Sequence, residues 1–171
     1  WIELVQKTRA HRRYNMDYDL AKYKALDLAA GYANNTWVTS PPFDSSKAKN
    51  PQVLAMDCEM CETQDPVSGE KDPRSLCRLS VVDVENDEVL LDTLVKPMWP
   101  VTDHRSWVNG IRPEHLENVQ FTLRHAQAFL MALCSQEAVL LGHALHNDLA
   151  ALRLDHPTIV DTACLFRAAD S

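Results

Sequence analysis

Asp57 and Glu59 stand two residues apart in Val53-Leu54-Ala55-Met56-Asp57-Cys58-Glu59-Met60, a run otherwise made of residues that favour burial. Read as a strand, the run projects both carboxylates to one face, because residues i and i+2 share a side. Four apolar residues before the pair and Met60 after it match the near-continuous hydrophobicity of a strand covered on both faces. Two acids side by side at the end of such a strand raise each other's pKa and are poorly solvated. A divalent cation relieves both costs, and oxygen donors converging from one short segment suit Mg²⁺ or Mn²⁺. Taken alone, the pair also fits an exposed edge strand whose polar face carries two acids by chance.

A second cluster follows about ninety residues later. Val139-Leu140-Leu141-Gly142-His143 is a short apolar run, and His146-Asn147-Asp148 then opens a helical pattern. Leu145, Leu149 and Leu152 recur at i, i+4 and i+7 and give that helix an apolar face. Asp148 then falls in the first turn, where the helix dipole favours a carboxylate. By itself it is an ordinary helix-start residue. A strand with Asp-x-Glu followed by strand, Gly, helix and Asp is the rarer combination.

The elements that position these acids read as follows. Residues 1–33 are expected to be helical, with Gly31 as the stop, and residues 34–52 to be a linker rich in Asn, Pro and Ser. The core then predicts strand 53–60, a polar loop 62–75, strand 76–84, a turn at Glu85-Asn86-Asp87 and strand 89–96. The tight turn makes the last two strands antiparallel neighbours. A helix over 122–134 carries Leu123, Ala126, Leu130 and Leu133 on one side, and strand 139–143, helix 146–154 and strand 158–161 complete the set. A meander followed by alternating helix and strand implies a mixed sheet covered by helices, an α/β fold.

Charge and cysteine usage set limits. Residues 1–50 hold eight Lys and Arg against five Asp and Glu, and residues 51–171 hold nine against nineteen, which together give a net charge of −7. An acidic core disfavours long duplex binding and suggests a short footprint centred on the acids. Arg9, Arg12 and Arg13 read as a solvated helix face rather than a nucleic-acid patch. Five cysteines scattered through apolar runs, with no secretory segment, fit a reducing compartment. Cys58-x-x-Cys61 lacks the second half of a zinc site, and Cys58 alternates away from Asp57 and Glu59 as a small core residue. No run approaches the roughly 18 apolar residues needed to span a membrane.

Met56-Asp57-Cys58-Glu59-Met60 resembles the first motif of the DEDDh 3′→5′ exonucleases, in the form shared by Rex-type RNA exonucleases, plant small-RNA-degrading nucleases and the interferon-induced exonuclease. Gly142-His143-Ala144-Leu145-His146-Asn147-Asp148 resembles the second motif, and Val95-Lys96-Pro97 looks like a Val-Lys/Arg-Pro segment between them. Thr102-Asp103-His104-Arg105 and Val108-Asn109-Gly110-Ile111 follow, with His104 where that family usually has Tyr, and Ile159-Val160-Asp161-Thr162 resembles its next strand.

The resemblance implies a ribonuclease-H-like mixed sheet flanked by helices, an exonuclease domain over residues 53–171 and two metal ions held by Asp57, Glu59 and Asp148. It further implies a hydrolase that removes nucleotides from the 3′ end of single-stranded RNA, with Met60 and Arg105 on the terminal nucleotide and nuclear or nucleolar residence inside the cell. His143 is expected to be a structural hydrogen-bonded residue and Asp161 to close a strand beside Thr162. The family's third motif, a His followed five residues later by an Asp, has no counterpart, since no His lies beyond His156. The domain is therefore expected to be C-terminally incomplete, lacking the helices that carry the motif. The alternative from another class is a catalytically silent RNA-binding or interaction module on the same fold.

Overall fold

β2 (Val53–Gln64) forms the centre of the sheet because its alternate residues meet two different covers. The computed structural model describes residues 1–29, 32 and 36–166. Leu54, Met56 and Cys58 join the main core with Leu123, Ala126 and Leu130 of α6 (Leu123–Leu133) and with Leu149 and Leu152 of α7 (His146–Leu152). Val53 packs on the opposite side with Val5 of α1 (Ile2–Ala10) and with Val139 and Val160. The leucine face read for α7 holds: Leu145, Leu149 and Leu152 are all fully buried.

The strand order is β4-β3-β2-β6-β8, with β5 (Val101–Asp103) pairing to the far end of β2. β3 (Lys71–Asp83) and β4 (Glu88–Leu94) continue from β2 as an antiparallel meander, and β6 (Val139–Gly142) and β8 (Ile159–Asp161) run parallel to it. This is the mixed α/β sheet flanked by helices that the order of the elements implies.

Three expectations change. The polar loop read at 62–75 is largely sheet, since β2 runs to Gln64 and β3 starts at Lys71. Pro73 signals a break, and it sits where the pairing register shifts between Cys61↔Ser75 and Thr63↔Asp72. The segment read as a linker contains β1 (Val38–Thr39), which pairs in parallel with β7 (Leu154–Asp155). The single helical stretch read for 1–33 is divided into α1, α2 (Tyr14–Asp17) and α3 (Leu20–Ala29), and the stop assigned to Gly31 lies outside the described residues.

α3 is fastened by a buried polar network. Arg153, left-handed at φ 49° where α7 ends, places Nε 3.0 Å from Asp27 Oδ2 and donates from Nη2 to Asp72 Oδ2 at 3.0 Å. Tyr32 donates to Asp72 and Trp37 to Asp27, and the guanidinium lies 3.7 Å from the centre of the Tyr32 ring. Among the described residues no helix is long and apolar enough to cross a membrane.

Candidate active site

Asp57 is exposed and Glu59 half-buried on one face of β2, while Cys58 between them is buried on the other. The alternation read from the sequence therefore holds, and Cys58 and Cys61 are both buried free thiols. β6 pairs with β2 only as far as Ala55, because the strand ends at Gly142 and the chain turns into α7. Beyond that point the edge of β2 needs another acceptor. Asp148, in the first turn of α7, supplies it: Oδ1 accepts the Cys58 main-chain N–H at 2.7 Å.

Gly142 permits this approach. A Cβ there would stand 2.5 Å from Leu145 Cδ1 and 3.1 Å from the Met56 carbonyl oxygen. The constraint is close packing, and Leu145 is fully buried.

Asp148 is buried, and burial pushes its carboxyl up to about 7, with the charge of Asp57 adding to the rise. Glu59 is also raised, by burial first and then by Asp57, against the lowering effect of Arg78. Both neighbours feel Asp57, so the three acids form one electrostatic cluster. Its donors are all carboxylate oxygens, the chemistry that a hard divalent cation requires. Excess negative charge is what such a cation would compensate, and on that ground the residues fit. Among the described residues, no three His, Cys, Asp or Glu side chains form a ready metal cage.

The flank of the acids is a loop strapped to β2. Asn109, at the end of α4 (Ser106–Asn109), donates from Nδ2 to the carbonyls of Met60 and His104, at 3.2 and 2.9 Å. Arg105 is left-handed at φ 50°, with its N–H on Asp103 Oδ1 at 2.8 Å. Asn109 thus ties the main chains of Met60 and His104 together beside Arg105, and the half-buried Met60 side chain packs against the main core. Asn109 as a strap, and Arg78, Ser80 and Asp92 on the neighbouring strands, emerge only from the structure. The alternation Arg78-Leu79-Ser80-Val81 was the available signal, since it places two polar residues on one face.

His143 Nδ1 lies 2.9 Å from Thr162 Oγ1, a structural contact at the strand ends. Asp161 accepts hydrogen bonds from Tyr18, Ala144 and Ala163 and caps α8 (Thr162–Leu165), so its oxygens are committed to holding the chain.

A mixed ribonuclease-H-like sheet with clustered acids beside its centre defines the class, and comparison with known proteins agrees. The chain is 33% identical over 169 residues to small RNA degrading nuclease 3 of Arabidopsis thaliana, covering 98% of this chain and 20% of that one. It is 35% identical over 142 residues to RNA exonuclease 1 of Saccharomyces cerevisiae, covering 82% and 24%. The human RNA exonuclease 1 homolog is 37% identical over 117 residues, covering 68% and 9%. The chain is thus a relative of the Rex-type RNA exonucleases and the plant small-RNA-degrading nucleases. It spans a quarter or less of the length of these three. No protein-family model matches it. In fold it is similar to the pseudoubiquitin hydrolase–RNA exonuclease module of Saccharomyces cerevisiae Pan2, solved with AAGGA RNA, at a TM-score of 0.55 and 20% identity, covering 77% of this chain and 24% of that one.

Proposed function

We propose that this chain carries the catalytic face of a 3′→5′ exoribonuclease that hydrolyses the terminal phosphodiester of single-stranded RNA. The observation that carries the reading is the electrostatic cluster of Asp57, Glu59 and Asp148, built around the Cys58 main chain. Asp57, Glu59 and Asp148 would hold Mg²⁺ or Mn²⁺. A bound pair of such ions supplies charge stabilisation at the scissile phosphate and a more acidic attacking water. Asp148 stays fixed through its Cys58 bond, so its second oxygen keeps one orientation. Met60 packs against the terminal nucleoside, and Arg105 reaches its ribose or phosphate.

The similarity to nucleases named for RNA supports the substrate class, and residence in the nucleus or nucleolus belongs to the same reading. A second reading is an RNA-binding module on the same fold that does not cleave. One experiment separates the two. The full-length protein is incubated with 5′-labelled linear RNA and with a circular RNA, in Mg²⁺ and in EDTA. A ladder shrinking from the 3′ end in Mg²⁺ alone, with the circle intact, is the expected result. Cut circles would make the protein an endonuclease, and RNA retained without shortening would make it a binding module.

A further inference from the structure

Arg78 faces the acid pair from the neighbouring strand. It is the register partner of Glu59, and directly opposed residues of antiparallel strands share a face. Its guanidinium is held from behind: Nε and Nη2 donate to the two carboxylate oxygens of Asp92 at 2.8 and 2.7 Å, and Ser80 donates to Asp92 Oδ1 at 2.9 Å. A guanidinium has five N–H donors. Two are spent on Asp92, and the other three meet no acceptor among the described residues.

An ion pair this open, with side chains 41% and 43% exposed, contributes little to stability. What it fixes is direction. The bidentate fork holds the remaining N–H groups in one plane beside Glu59, the geometry in which arginine recognises phosphate oxygens. A cavity of about 320 Å³ adjoins it, lined by Arg78, Asp92, Leu94, Asn109, Gly110 and His115. Asn109 ties that cavity to Met60 and so to the acid pair.

We propose that Arg78, oriented by Asp92 and Ser80, binds a backbone phosphate of the RNA strand next to the acid pair, and that the adjoining cavity takes the attached nucleoside. The inference rests on the exoribonuclease reading, whose scissile phosphate lies at the acids. It adds a second phosphate contact, made by a residue of positioning rather than chemistry.

The test uses the full-length protein and its Arg78→Gln, Arg78→Lys and Asp92→Asn variants, with thermal melts to establish that each is folded. Binding of a short 5′-fluorescein oligouridylate is followed by anisotropy in EDTA across a range of KCl concentrations, where no metal-dependent cleavage intervenes. Each single-strand phosphate neutralised contributes about 0.7 to the slope of log affinity against log salt. Arg78→Gln should lose about that much slope, whereas Arg78→Lys and Asp92→Asn, which keep the cation, should retain it. In Mg²⁺, Arg78→Gln should raise KM about tenfold while kcat moves less, the loss of a charge-assisted contact made in the ground state. Unchanged slope and KM in Arg78→Gln would overturn the proposal. A slope that depends on Arg78 in a protein releasing no nucleotides would leave the phosphate site standing and remove the exonuclease reading. A wild-type protein that neither binds oligouridylate in EDTA nor releases nucleotides in Mg²⁺ removes both.

Discussion

The main-chain N–H of Cys58 donates to Asp148 Oδ1 at 2.7 Å across ninety residues of sequence, fixing the first turn of α7 to the centre of the sheet. The bond takes the place of a ladder partner that β6 no longer provides beyond Gly142. One carboxylate therefore serves both the architecture and the acid cluster.

Asp57→Ala and Glu59→Ala should each abolish nucleotide release while leaving the metal-free protein as stable as before, or slightly more so. Removing one acid relieves repulsion, and fewer carboxylates bind Mg²⁺ more weakly. Thermal melts across a Mg²⁺ titration check this, because a ligand raises the melting temperature according to its affinity. An unaltered Mg²⁺ response in both variants would remove their role as ligands.

Asp148 sets a pH dependence with an unusual sign. Its folded value of about 7 lies above the ordinary 3.8, so the folded state holds the proton more tightly than the unfolded state does. The stability this confers is present below about pH 4 and is lost as pH rises towards 7, with an upper limit on the order of 4 kcal/mol. Buried His156 acts in the opposite direction, since its lowered value disfavours folding as pH falls. The clean measurement is the difference between wild type and Asp148→Asn in metal-free buffer, which should grow from about pH 5 to about pH 7.5. Mg²⁺ should shrink that difference at the higher pH, and a pH-independent difference would remove the effect.

Arg153→Met should cost about 3–5 kcal/mol, the range seen when one partner of a buried charge pair is removed. Asp72 would be left buried without its cation, and Asp27 with only Arg74, 3.4 Å away. Urea unfolding measures the loss. Adding Asp72→Asn to Arg153→Met should recover part of it, and a purely additive double variant would show that the charges do not communicate.

Gly142→Ala should reduce turnover by more than its loss of stability suggests. The new methyl group meets the buried Leu145 side chain and the Met56 carbonyl, so the start of α7 must shift, and Asp148 with it. Overpacking of this kind costs about 1–3 kcal/mol. Comparing kcat and melting temperature between wild type and variant separates the two effects; full turnover would show that the strand and helix can part without moving the acid.

Much of this arrangement was legible in the sequence. Period-two alternation around Asp57 placed both acids and Cys58 on the correct faces, and the leucine spacing placed Asp148 in a first turn. The extension of the β2–β3 hairpin was not legible, because Glu62, Lys71 and Pro73 resemble a loop when cross-strand pairing is unknown. In the structure Lys71 pairs with Glu62 at 2.7 Å and Pro73 falls at a register shift. Arg78 was equally hidden: a cationic residue on a strand acquires meaning only when its opposite number, Glu59, is known. The Cys58–Asp148 bond involves a main-chain donor, which no residue type announces.

The network of Asp27, Arg153 and Asp72 has a consequence for cooperativity. A segment joined to a domain by a slack tether melts on its own, at lower temperature, and gives a second transition. Here three distant stretches bury charges paired across them, Asp27 with Arg153 and Arg74 and Asp72 with Arg153. Detaching α3 strips Asp27 of both arginines while Arg153 keeps Asp72, so the buried Asp27 pairs raise the free energy of opening α3 towards that of disrupting the sheet. Calorimetry of this chain should therefore give one heat-absorption peak with matching calorimetric and van't Hoff enthalpies. Amide protons of α3 should exchange with solvent at rates close to those of β3.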